Sequence, residues 1–93
     1  MTLSVELGEG FAGDEVVVLV DGTRAWRGDR VETNYSVGIA EVVTVPADTG
    51  SIVEVRVRGR ARSHRVGGER RLRVDLDPAG ELTLGPPRVG DVF

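Results

Sequence analysis

The stretch IVEVRVRGRARSHRVGGERRLRVDLD occupies residues 52–77. Every second residue from Arg56 to His64 is basic: Arg56, Arg58, Arg60, Arg62 and His64. A period of two belongs to a β-strand, whose successive side chains point to opposite faces. The alternation predicts one long strand over 52–64, a tight turn at Gly67-Gly68, and a returning strand over 69–77. With that turn Val66 faces Glu69. His64 then faces Arg71, Arg62 faces Arg73, Arg60 faces Asp75 and Arg58 faces Asp77. The intervening pairs, Ser63 with Leu72, Ala61 with Val74 and Gly59 with Leu76, collect the apolar residues on the other face. A slip of one residue would mix the two faces.

The same register divides the basic stripe. Arg58 and Arg60 meet carboxylates, whereas Arg62 and His64 meet Arg73 and Arg71. Like charges directly opposite are mildly destabilising. Arg65 and Arg70 flank the turn. The expected contact surface is therefore the hairpin tip: Arg62, His64, Arg65, Arg70, Arg71 and Arg73. Residues 51–75 carry eight arginines against Glu54, Glu69 and Asp75, a balance of +5. The remaining residues carry four arginines against twelve acids, a balance of −8, which together give the net charge of −3. Such polarity suits docking of an anionic protein surface, or association with a second copy of the chain. Nucleic acid fits poorly. The sequence pI is about 5.1, and no aromatic residue in the stretch is available to stack on bases.

Outward from this stretch the alternation continues. Leu3, Val5 and Leu7 alternate with Ser4 and Glu6 in a first strand. GEGFAGDE (8–15) reads as a glycine-rich loop. Val16 to Val20 is an apolar run of the kind found where a strand is covered on both faces. Asp21-Gly22 is a hairpin signal. It leads to a returning strand over 23–27, a turn at Gly28-Asp29 and an extended segment over 30–35. Residues 38–45 alternate again, 46–50 form a turn, and a last short strand covers 81–84. The tail GPPRVGDVF (85–93) holds two of the four prolines and is expected to be irregular. The expected fold is all-β: a single domain over 1–93, an antiparallel β-sandwich of seven or eight short strands, transthyretin-like or jelly-roll-like, with a small barrel as the alternative.

Composition agrees. The chain has 93 residues, and only 4% of them are aromatic, so its core must be built from valine, leucine and isoleucine. A domain of this size buries roughly 60–65% of its unfolded surface and has little room for an enclosed catalytic cavity. Cysteine is absent, which removes disulfides, thiolate metal sites and cysteine nucleophiles. No apolar run approaches the roughly 20 residues of a membrane-spanning helix. The start MTLSVEL lacks the features of a signal peptide, so cytoplasmic location is the default expectation. A mature fragment of a secreted protein would read alike.

The run GDEVVVLVDG, with Thr33 further on, is similar to small bacterial β-sandwich modules of the transthyretin-like and PEGA type, in which a strand ends in V-D-G and returns through a hairpin. It also resembles calcium-dependent xylan-binding modules, where G-D-E opens a strand. Each likeness covers about 25 residues of turn chemistry and carries no binding residue across.

Catalysis is not expected. Ser63 and His64 are adjacent in a strand and point to opposite faces. A single histidine, surrounded by arginines, makes no transition-metal site, and no metal or other cofactor is expected. The expected function is a non-enzymatic binding or protein-interaction module with the arginine-rich hairpin as its contact surface. Two alternatives use other features. One is a calcium-assisted carbohydrate-binding module using Glu9, Asp14 and Glu15 with Trp26 and Tyr35, although both aromatics read more simply as core or core-rim residues. The other is a structural domain that self-associates through a sheet edge.

Overall fold

The computed structural model describes residues 2–85. The chain forms eight strands: β1 (Thr2–Leu7), β2 (Ala12–Val20), β3 (Thr23–Glu32), β4 (Glu41–Pro46), β5 (Ile52–Val57), β6 (Arg60–Arg65), β7 (Arg71–Leu76) and β8 (Leu82–Gly85). They build two four-stranded sheets, in the orders β4-β1-β7-β8 and β3-β2-β5-β6. The sheets pack as a small β-sandwich and do not close into a barrel. All strand pairs are antiparallel except β1 with β7.

The period of two explains the core. Leu3, Val5 and Leu7 of β1, Val43 and Val45 of β4, and Leu72, Val74 and Leu76 of β7 face inward from the first sheet. Val16 and Val18 of β2 and Val53, Val55 and Val57 of β5 meet them from the second. Each such side chain contributes roughly 1.5–3 kcal/mol on burial. β2 lies between β3 and β5, and even its outward Leu19 is buried, as its unbroken apolar run predicts.

Several boundaries differ from the sequence expectation: β4 starts at Glu41 rather than residue 38 and runs through Pro46, and three further differences are larger. β2 begins at Ala12, inside the supposed loop, and Phe11 beside it is fully buried. No turn forms at Gly28-Asp29, and β3 runs through it. A Cβ at Gly28 would lie 2.4 Å from the Trp26 ring, so this glycine serves close packing under an aromatic and not chain reversal. The third difference is the largest. The stretch 52–64 is two strands, because the chain turns at Arg58-Gly59. Arg58 (φ 54) and Gly59 (φ 73) are both in the left-handed region, the backbone of a two-residue I′ hairpin turn. Asp21 (φ 50) and Gly22 (φ 82) make the same turn between β2 and β3, as their sequence predicts.

The consequence is a new register. Val57 faces Arg60, Val55 faces Arg62 and Val53 faces His64. The expected pairing of Arg58–Arg62 and His64 with Arg71–Asp77 does not form. β7 pairs with β1 and β8 instead, in the other sheet. Of the expected tail, Gly85 belongs to β8, and 86–93 lie outside the described residues.

Candidate interaction surface on the β5–β6 hairpin

Side chains that face each other across an antiparallel pair lie on the same face of the sheet. Val53, Val55 and Val57 point into the core, so His64, Arg62 and Arg60 share the inward face. Arg56 lies on the opposite face, beside Val17. The basic stripe is thus split by the turn. β6 is an edge strand, and none of its residues is buried. It packs against the short edge strand β8 of the other sheet. Arg60, Ala61 and Arg62 line an open cleft with Glu81 and Leu82.

The six expected contact residues are distributed over both sheets. Arg62 and Arg65 are exposed on β6, and Arg70 is exposed just before β7. None of these three side chains makes a hydrogen bond or ion pair among the described residues. His64 Nε2 lies 2.5 Å from Glu69 Oε1. That contact is the chief reason the Glu69 carboxyl falls to about 2, and the backbone N–H groups of Glu69 and Gly67 lower it further. Arg71 bonds Glu6 at 2.6 Å. Arg73 is only 5% exposed. It bonds Asp75 at 3.2 Å and donates to the Gly38 carbonyl at 3.0 Å. The expectation that Arg73 faces water beside Arg62 is therefore corrected: it fastens the 34–39 loop over the outer face of the first sheet. Arg71 also leaves the group, because it stands on the other sheet with its own carboxylate.

Arg58 makes the firmest tie of the hairpin. Its Nε and Nη2 reach Asp14 Oδ1 and Oδ2 at 2.7 and 2.9 Å, in bidentate geometry. This hydrogen bond holds the Asp14 carboxyl below its ordinary range against the opposing effect of burial, and the Ala12 N–H and the arginine charge act in the same direction. Arg56 pairs with Glu54 along β5, and Arg60 lies 3.7 Å from Glu81.

The acids proposed for calcium do not converge. Asp14 is held by Arg58, and Glu15 accepts from Arg27 at 3.0 Å. Among the described residues no three acidic or histidine side chains gather in a way that suits a metal ion. The 8–11 segment is pinned by Thr33, whose hydroxyl donates to the Gly8 carbonyl at 2.7 Å and accepts from the Phe11 N–H at 3.0 Å. Tyr35 is 69% exposed, not a rim residue of the core, and its hydroxyl accepts from the Gly10 N–H at 3.3 Å. Trp26 is half-buried against the core at the other sheet's edge. The two aromatics line different clefts. Ser63 and His64 fall on opposite faces of β6.

Fold and surface together define a small two-sheet β-sandwich with a basic, solvent-facing edge strand. No family model, curated protein or solved structure matches the chain. Among the described residues no helix is long and apolar enough to cross a membrane.

Proposed function

We propose that this chain is a non-enzymatic protein-interaction module that docks an acidic protein segment on β6. The reading rests on Arg62. This side chain occupies a position where its neighbours across the ladder are core valines, yet it is exposed and has no partner among the described residues. Arg65 stands unpaired on the other face of the same strand. An arginine fork that is not already held by a carboxylate is ready for one from outside.

The test is binding of acidic, neutral and basic peptides to the whole chain, followed by fluorescence polarisation. Acidic peptides are expected to bind saturably, and the double variant Arg62→Glu, Arg65→Glu is expected to lose that binding. Both positions are exposed, so the melting temperature should move by no more than a few degrees. Equal binding by the variant and the parent overturns the proposal.

A further inference from the structure

We infer that the acidic partner binds as an added β-strand, extending the second sheet beyond β6. The inference rests on the docking reading above and specifies its mode. The four edge strands differ in their fitness for this. β3 has three register irregularities against β2, and such bulges twist an edge away from further pairing. β4 ends in Pro46. β8 has four residues. β6 has six, pairs with β5 without irregularity and contains no proline.

The hydrogen-bonding phase of β6 identifies the free backbone groups. A two-residue I′ turn makes its flanking residues, Val57 and Arg60, a hydrogen-bonded pair. The phase is confirmed further along the ladder, where the Val66 N–H donates to the Ser51 carbonyl at 2.8 Å and the Gly50 N–H to the Val66 carbonyl at 2.7 Å. Arg60, Arg62 and His64 therefore bond towards β5. Ala61, Ser63 and Arg65 direct their N–H and C=O groups outward, where an incoming strand can pair with them. The small side chains of Ala61 and Ser63 leave the outer face of that position open.

The side chains set the partner's sequence. An incoming residue opposite Arg60 or Arg62 sits in a non-hydrogen-bonded pair, the closer of the two pair types, with Cα atoms about 4.5 Å apart. Carboxylates at every second position would meet these arginines. The intervening positions would face Ala61 and Ser63 on the other side. Inward charge on an edge strand blocks indiscriminate pairing. Here it would act as a filter, admitting a strand of opposite charge and repelling others. A second copy of β6 is among those repelled, since arginine would oppose arginine.

The experiment uses the full chain and a synthetic peptide of about nine residues alternating glutamate with threonine, long enough to span β6. Three comparisons accompany it: the same peptide N-methylated on the amides that would face β6, a peptide of the same composition with its glutamates in one block, and the variant Ser63→Pro. The proline removes an N–H that makes no bond to β5. The alternating peptide is expected to bind best. N-methylation blocks more than one main-chain hydrogen bond and is expected to weaken binding at least about tenfold, whereas Ser63→Pro removes one donor and is expected to weaken it roughly threefold to tenfold. N-methylation leaves the protein untouched, so the result stands even where the proline disturbs folding. If Arg62→Glu abolishes binding while N-methylated and block peptides bind as well as the parent peptide, strand addition is wrong and acidic docking stands. If Arg62→Glu leaves binding unchanged, both fall. A concentration-dependent dimer that Ser63→Pro dissociates would make the occupant a second copy and overturn the inference.

Discussion

Arg58 occupies a left-handed backbone position (φ 54) that non-glycine residues enter at a penalty of roughly 1 kcal/mol. It holds Asp14 by two hydrogen bonds, tying the β5–β6 turn to the start of β2. An ion pair this close to the surface contributes about as much as the strain removes. The balance depends on pH. The Asp14 carboxyl is depressed in the folded chain, so its stabilisation is complete above the ordinary carboxylate pKa and disappears as pH falls through the depressed value. Arg58→Gly relieves the strain and deletes the pair. Near neutral pH the variant should melt within a few degrees of the parent. In acid, once Asp14 is protonated, the variant should be the more stable of the two. Melting curves from about pH 7 to pH 2 test this, and a variant that is less stable at every pH refutes it.

Arg73 shows what a residue's own neighbourhood in sequence conceals. Its alternation with Leu72 and Val74 correctly places it on the outward face of a strand. Outward normally means solvated. A loop some thirty-five residues earlier covers this one, with the Gly38 carbonyl on its guanidinium, and no periodicity reports such a distant cover. The one available signal was Asp75, two residues on and therefore on the same face.

At the scale of elements, most of the sandwich is legible. The strands at 2–7, 71–76 and 82–85 and the Asp21-Gly22 hairpin stand where alternation and turn chemistry put them. The hairpin at 58–59 is hidden because the observed turn breaks charge segregation: it puts Arg60, Arg62 and His64 on the same face as Val57, Val55 and Val53. The Gly67-Gly68 register keeps arginines and apolar residues on separate faces, and that regularity favours it in the sequence without its being correct. The discriminating signal was apolar size. Val53, Val55 and Val57 are core-sized, whereas Gly59, Ala61 and Ser63 in the same parity are not, so the buried ladder ends at Val57. The observed phase makes a definite statement about amide exchange. The amides of Arg60, Arg62, His64 and Val66 should be protected, and those of Ala61, Ser63 and Arg65 should exchange at nearly open-chain rates. Protection of all six β6 amides would mean that the edge is already covered in the free protein, and a reversed phase would displace the turn.

Across the whole molecule, folding dissolves much of the polarity seen in the sequence. Of the eight arginines in 51–75, five meet carboxylates: Arg56 with Glu54, Arg58 with Asp14, Arg60 with Glu81, Arg71 with Glu6 and Arg73 with Asp75. Three of those acids come from outside the segment. What remains for a partner is chiefly Arg62 and Arg65 on β6, with Arg60 only loosely held at 3.7 Å. The rest of the molecule is acidic, and the chain spans 34 × 32 × 19 Å, so much of that negative charge lies more than a Debye length of about 8–10 Å from the edge strand at physiological salt. Two opposing effects follow as salt rises. The few ion pairs at β6 weaken, and the long-range repulsion between an acidic peptide and a chain of net charge −3 is screened. Main-chain hydrogen bonds carry the remainder and are insensitive to ionic strength. The affinity for an alternating acidic peptide should therefore change by less than about tenfold between about 0.05 and 0.5 M salt, measured by the same polarisation assay. A loss of about a hundredfold or more would require many more cations at the contact than β6 offers, and would place the docking surface elsewhere on the molecule.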